Sequence, residues 1–150
     1  MAKARYGELD GDMPLQEAAR SILLQLLETA LGEGPAVLRN DVKATHDMRV
    51  AIRRLRTALS AFRSAFPKKR LHVYREASRK VGRRLGAVRD ADVHLAVLRA
   101  ALGGATEAEV PGIAFAIETL GARRRRALAD FAIEYSQFDR EGFAQMLAGG

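Results

Sequence analysis

From Leu15 onward the apolar residues of this chain return every three or four positions, and Gly and Pro gather between the runs. That period belongs to one face of an α-helix, and no stretch alternates apolar and polar residues as a half-buried strand would. The spacing predicts an all-α protein. Asp12 followed by Pro14 marks a helix start, and LQEAARSILLQLLETAL carries a first helix to Leu31, with Gly32 as its stop. LGEGP reads as a loop. A second helix begins between Pro35 and Thr45 and ends at Phe66, because the residue before Pro67 disfavours helical geometry. A third runs from about Lys69 to Leu85, with Gly86 as a candidate break and Asp90 as the N-cap of the resumed pattern VRDADVHLAVLRAAL.

Thr106 and Glu109 have the spacing of a capping box for a fourth long helix reaching about Tyr135, and a short helix follows from roughly Arg140 to Leu147. Long helices with short connections pack antiparallel. The expected architecture is therefore an antiparallel four-helix bundle of long helices with a short C-terminal helix. Residues 12–148 form its single domain, and residues 1–11 a flexible N-terminus.

At 150 residues with 48% hydrophobic content, one compact core is affordable without a disulfide or a structural metal. Cysteine is absent, which removes disulfide frameworks, Cys-based zinc sites and thiol catalysis together. No run approaches the roughly 18 apolar residues of a spanning helix, and MAKARYGELDGDMP lacks the apolar centre of a signal peptide. A cytoplasmic protein without a membrane partner is the expectation.

The net charge of +7 is unevenly placed. Residues 41 to 100 hold 16 Lys+Arg against 5 Asp+Glu, or +11, whereas the remainder holds 9 against 13, or −4. A basic middle in an acidic frame makes a local positive field for an anionic partner. Its centre is THDMRVAIRRLRTALSAF, residues 45 to 62. A helix turns about 100° per residue, so Arg53, Arg49 and Arg56 fall at about −20°, −60° and −80° from His46. Met48, Ile52, Leu55, Leu59 and Phe62 take the opposite side, and Arg54 lies on the flank. Like charges three or four residues apart repel by a few tenths of a kcal/mol per pair. The only acid beside this stripe is Asp47.

In the third helix Tyr74, Ala77, Val81, Leu85 and Val88 share one arc, and Arg75, Arg79 and Arg83 another at four-residue spacing. Lys80 and Arg84 lie on the far side. If the second and third helices are neighbours, their cationic stripes border one groove of Arg forks, a geometry suited to phosphate oxygens.

Two blocks of this sequence resemble a known family, the conserved histidine α-helical domain or CHAD. HDMRVAIRRLR, residues 46 to 56, has its His followed by Arg at the third and seventh positions. VGRRLGAVRDADV, residues 81 to 93, is similar to the family's Leu-Gly-x-x-Arg-Asp-x-Asp-Val signature. The resemblance covers roughly residues 10 to 148. It implies a module that binds inorganic polyphosphate through a basic surface and is often associated with polyphosphate granules. By motif position it implies contacts from His46, Arg49, Arg53, Arg56, Arg83, Arg84 and Arg89. Lys80 joins them from the face geometry alone. Asp90 and Asp92 are expected to be structural, capping a helix or orienting Arg89. The family usually has two similar helical halves, whereas this chain carries one His-Arg helix, so the alternatives are a minimal single-bundle form, a fragment, or a half that pairs with a copy of itself, the last preferred on length alone.

A polyphosphate binder needs neither metal nor other cofactor, and no enzymatic activity is expected. The nearest rival is non-specific nucleic-acid binding, which the same cations would support. Aromatic residues make up only 6% with no Trp, so stacking platforms for bases are scarce, and no base-reading motif is present. A metal-dependent phosphohydrolase fits less well, because His46 and Asp47 point about 100° apart on a helix. His72 and His94 read as surface positions, and the run Arg123 to Arg126 as mostly solvated. If His46 sits beside bound phosphate, binding is expected to tighten as pH falls from about 7.5 to 6.

Overall fold

A computed structural model describes residues 9–149; most of the expected flexible N-terminus, residues 1–8, lies outside the described residues. All the regular structure among the described residues is helical. It comprises α1 (Leu15–Gly32), α2 (Gly34–Leu38), α3 (Val42–Ala61), a 3-10 turn (Arg63–Ala65), α4 (Lys68–Gly103), α5 (Val110–Ser136) and α6 (Arg140–Leu147). The long helices pack in the series α1 on α3, α3 on α4 and α4 on α5, with α2 set against α3 and α6 against α4.

The apolar stripe of α3 lies in the core: Met48, Leu55 and Leu59 are fully buried, Ile52 nearly so, and Phe62 is half-buried beyond the last turn. They meet Leu23, Leu27 and Leu31 of α1 and Val81, Leu85 and Val88 of α4 in one continuous cluster. Asp41 caps α3, accepting from the backbone N–H of Ala44 at 3.0 Å. That places its start seven residues past Pro35, and its end comes earlier than Phe66 because the chain tightens into the 3-10 turn before Pro67.

Three local expectations are corrected. Within LGEGP only Glu33 lies outside a helix, since Leu31–Gly32 end α1 and Gly34–Pro35 begin the short α2, with Pro35 in its first turn. Gly86 does not break α4, which continues for 36 residues. A helix-interior glycine costs roughly 1 kcal/mol relative to alanine, and the wholly buried Leu85 and Val88 on either side outweigh that. Asp90 accordingly lies exposed in mid-helix and caps nothing. Before α5, the Thr106 N–H donates to Glu109 Oε2 at 2.9 Å, which is half of a capping box; that bond holds the Glu109 carboxyl below its usual range. The regular helix then starts at Val110.

α5 is attached differently from α3. Phe131 is its one buried residue. The Tyr135 hydroxyl donates to the Leu31 carbonyl at 2.8 Å and accepts from Arg140 at 2.9 Å. Gly34 lies against the Tyr135 ring so closely that no Cβ would fit. Deeper in the hairpin, Arg124 Nε donates to Asp92 Oδ1 at 2.6 Å, and its Nη1 donates to Asn40 Oδ1 at 2.9 Å. Asp92 Oδ2 and Arg124 Nη2 are buried without partners. Asn40 adopts a left-handed backbone, φ 65°, at the turn into α3. Asp92, expected to cap a helix or orient Arg89, is paired instead with Arg124 of α5. Arg89, three residues away on α4, is turned about 60° off that side. The short α6 is capped by Asp139, which accepts from Gly142 N–H at 2.9 Å, and its Phe143 meets the Tyr74 ring edge-on at 5.2 Å.

Candidate functional site: two cationic grooves on one helix

The two cation-bearing motifs lie on adjacent helices because α3 and α4 form a hairpin with a close approach at Gly82. A Cβ there would sit 3.3 Å from Ile52 and 3.7 Å from Arg56 Nη1, so the small residue lets the Arg56 side chain lie across α4. Beside this contact is an open groove of about 610 Å³, lined by Arg53, Arg56, Thr57 and Ser60 of α3 and His72, Arg75, Glu76 and Arg79 of α4. Its four Arg face a single acid. Glu76 is taken up locally, accepting from Arg79 Nη2 at 2.9 Å and Nε at 3.2 Å. Those bonds, with the charge of Arg79, hold the Glu76 carboxyl below its usual range.

The other acid near the stripe is also diverted. Asp47 pairs with Lys43 at 2.6 Å, one turn back on α3. Their hydrogen bond lowers the Asp47 carboxyl and raises the Lys43 ammonium. Among the described residues, Arg49, Arg53 and Arg56 form no ion pair. The stripe therefore faces solvent with its charge intact.

The single groove expected between the two motifs divides in the structure. Measured from Arg79, Arg75 lies about 40° to one side, whereas Lys80 and Arg84 lie about 100° and 140° to the other. Since α4 packs on α3 along one flank and on α5 along the other, the second motif faces α5. There Lys80, Arg83, Arg84 and Ala87 join Arg123, Arg126, Ala127, Asp130 and Glu134 around a second groove of about 550 Å³. Arg84 approaches Asp130 at 3.6 Å and Glu134 at 3.9 Å.

Of the sequence-derived candidates, Arg53 and Arg56 line the first groove and Lys80, Arg83 and Arg84 the second. His46 and Arg49 are exposed on the N-terminal half of α3 and Arg89 is half-buried; none of the three lines either groove. The histidine that does so is His72. Arg123 and Arg126 are additions: their run circles the helix as a whole, but these two members are spaced i, i+3 and share a face. Arg124 between them turns inward to Asp92. Among the described residues, no three His, Asp or Glu gather where a metal ion could be held. No helix there is long and apolar enough to cross a membrane.

What these features define is an all-helical chain with cation-lined grooves along both flanks of its longest helix. A family model for the CHAD domain matches residues 21–146, from early α1 into α6, and the chain belongs to the CHAD domain family. CHAD domains are known for polyphosphate binding in general. No curated protein and no solved structure matches the chain.

Proposed function

We propose that this chain is a non-enzymatic module that binds inorganic polyphosphate, with an antiparallel bundle of α1, α3, α4 and α5 carrying the binding surface. The observation behind this reading is the α3–α4 groove, where Arg53, Arg56, Arg75 and Arg79 against Glu76 alone give a formal +3. Guanidinium forks match phosphate oxygens, and a phosphate chain has no base edges to be read, so a row of Arg suffices. His46 and Arg49 continue the same stripe as outer contacts, and Arg89 of α4 is proposed to add a further one. Localisation to cytoplasmic polyphosphate granules follows from such binding.

Titration with long-chain polyphosphate at increasing salt tests the reading. Displacing counterions with about four Arg gives a log–log slope near −3 or steeper, and the double variant Arg53→Gln/Arg56→Gln flattens it. A slope near zero overturns the reading, as does failure of excess polyphosphate to displace DNA or RNA. Release of phosphate from polyphosphate by the purified protein would replace binder with enzyme.

Pairing of two copies belongs to the same proposal. What supports it is the far end of the α4–α5 hairpin, where Val97 is 62% and Phe115 71% exposed in a stretch carrying few charges. Light scattering that finds only monomer at tens of micromolar overturns the pairing.

A further inference from the structure

The two grooves lie on opposite flanks of one helix, and the surface between them is also cationic. Around α4, starting from Arg75 on the α3 side, Arg79, Arg83, Lys80 and Arg84 follow at steps of about 40° to 60° until α5 is reached. On that face Gly86 carries no side chain and Ala87 only a methyl; of its acids, Glu76 between Arg83 and Lys80 is taken up by Arg79, and the exposed Asp90 lies two turns beyond Arg83. Each groove also has the same formal charge. The first sets four Arg against Glu76, and the second sets Lys80, Arg83, Arg84, Arg123 and Arg126 against Asp130 and Glu134, so both come to +3.

From this juxtaposition we infer that one polyphosphate chain occupies both grooves at once, crossing the exposed face of α4, and that the protein thereby selects long chains over short ones. The inference rests on polyphosphate being the ligand of the α3–α4 groove. Each groove alone offers a few guanidinium contacts, which short and long chains make equally well. A chain held in the first groove brings its remaining phosphates to the second as an intramolecular event, at an effective concentration in the millimolar range, whereas a separate short chain must bind from solution. Three linked phosphates cannot fill both grooves and cover the face between, since the helix with its side chains is about 10–12 Å across.

The acids of the second groove set the path. Asp130 and Glu134 hold Arg84 at 3.6 and 3.9 Å, on the side of the groove towards the C-terminal end of α5. They leave Arg83, Arg123 and Arg126 without an ion pair among the described residues. The chain therefore enters along those three, and removing both acids opens a further contact through Arg84.

The test compares tripolyphosphate with polyphosphate of many tens of units, titrated into the full chain at equal concentration of phosphate units and matched salt. The wild type binds the long chain at least tenfold more tightly per unit, one chain spanning each molecule. Arg123→Gln/Arg126→Gln, exposed positions in a helix, cuts that advantage at least fivefold, and Lys80→Gln/Arg83→Gln does the same from the α4 side. Asp130→Asn/Glu134→Gln enlarges it. Equal affinity per unit for the two probes overturns the inference while leaving the first groove as a polyphosphate site, and so does a length advantage that survives both second-groove variants. Absence of long-chain binding by the wild type overturns the reading of the first groove and this inference with it.

Discussion

α3 and α5 are both long, both carry Arg, and both border a groove, yet they are held in opposite ways. α3 buries seven of its 20 residues between α1 and α4, so its cations project from a helix that apolar packing already fixes. α5 buries one residue in 27 and leans mainly on α4, and polar links at Arg124 and Tyr135 make up part of the difference. Arginine therefore has two uses in the same fold. On α3 it is free for a ligand; on α5 Arg124 of a four-residue run is a structural clamp while Arg123 and Arg126 line a groove.

The largest expected effects test this contrast at its anchors. Phe131→Ala removes the one fully buried side chain of α5, leaving the half-buried Ala127, Leu128 and Tyr135, and costs about 3–5 kcal/mol in denaturant unfolding. Arg124→Ala leaves the Asp92 carboxylate buried and unpaired, at a cost of about 3 kcal/mol or more. Replacing both partners with apolar residues of similar volume recovers most of that loss. If Arg124→Ala instead behaves like Arg53→Ala, within about 0.5 kcal/mol of the parent, the clamp is not structural and the contrast collapses.

Next is Gly34→Ala, whose new methyl group must displace the Tyr135 ring, an overpacking cost of about 1–3 kcal/mol. Tyr135→Phe loses both the bond to the Leu31 carbonyl and the one accepted from Arg140, about 1–2 kcal/mol together. Both should destabilise without altering polyphosphate affinity per folded molecule. The smallest effect concerns pH. Because Arg79 holds Glu76 below the usual carboxylate range, that acid stays ionised on mild acidification, and only at lower pH does its protonation add to the groove's net charge. Any stability from this pair is present at neutral pH and is lost as pH falls through that lowered value. The parent should show an increase in affinity on the acid limb of a binding titration across pH, and Glu76→Gln should raise affinity at neutral pH and remove that increase.

The same contrast explains which parts of the molecule were legible from sequence. The inward face of α3 follows from periodicity, because Met48, Ile52, Leu55 and Leu59 repeat at helical spacing and the structure buries all four. Its outward cations follow by subtraction. Continuity of α4 through Gly86 does not, since local propensity says break and only the depth of Leu85 and Val88 says otherwise. Nor does the split into two grooves. Face angles place Lys80 and Arg84 away from Arg75, but which neighbour covers which flank is a tertiary fact. The Asp92–Arg124 link joins residues 32 apart with no periodic signature, so the inward turn of Arg124 is hidden inside a run that looks uniformly solvated.

Asn40 meets two demands at once, and this restricts what evolution or selection can place there. A left-handed backbone admits glycine, asparagine and aspartate with least strain, whereas Arg124 asks for a side-chain oxygen at the same position. Glycine satisfies the first and forfeits the second; serine or glutamine supplies an oxygen at the cost of the turn. In a library randomised at this codon and sorted for folded protein, the surviving alphabet should shrink to asparagine and aspartate.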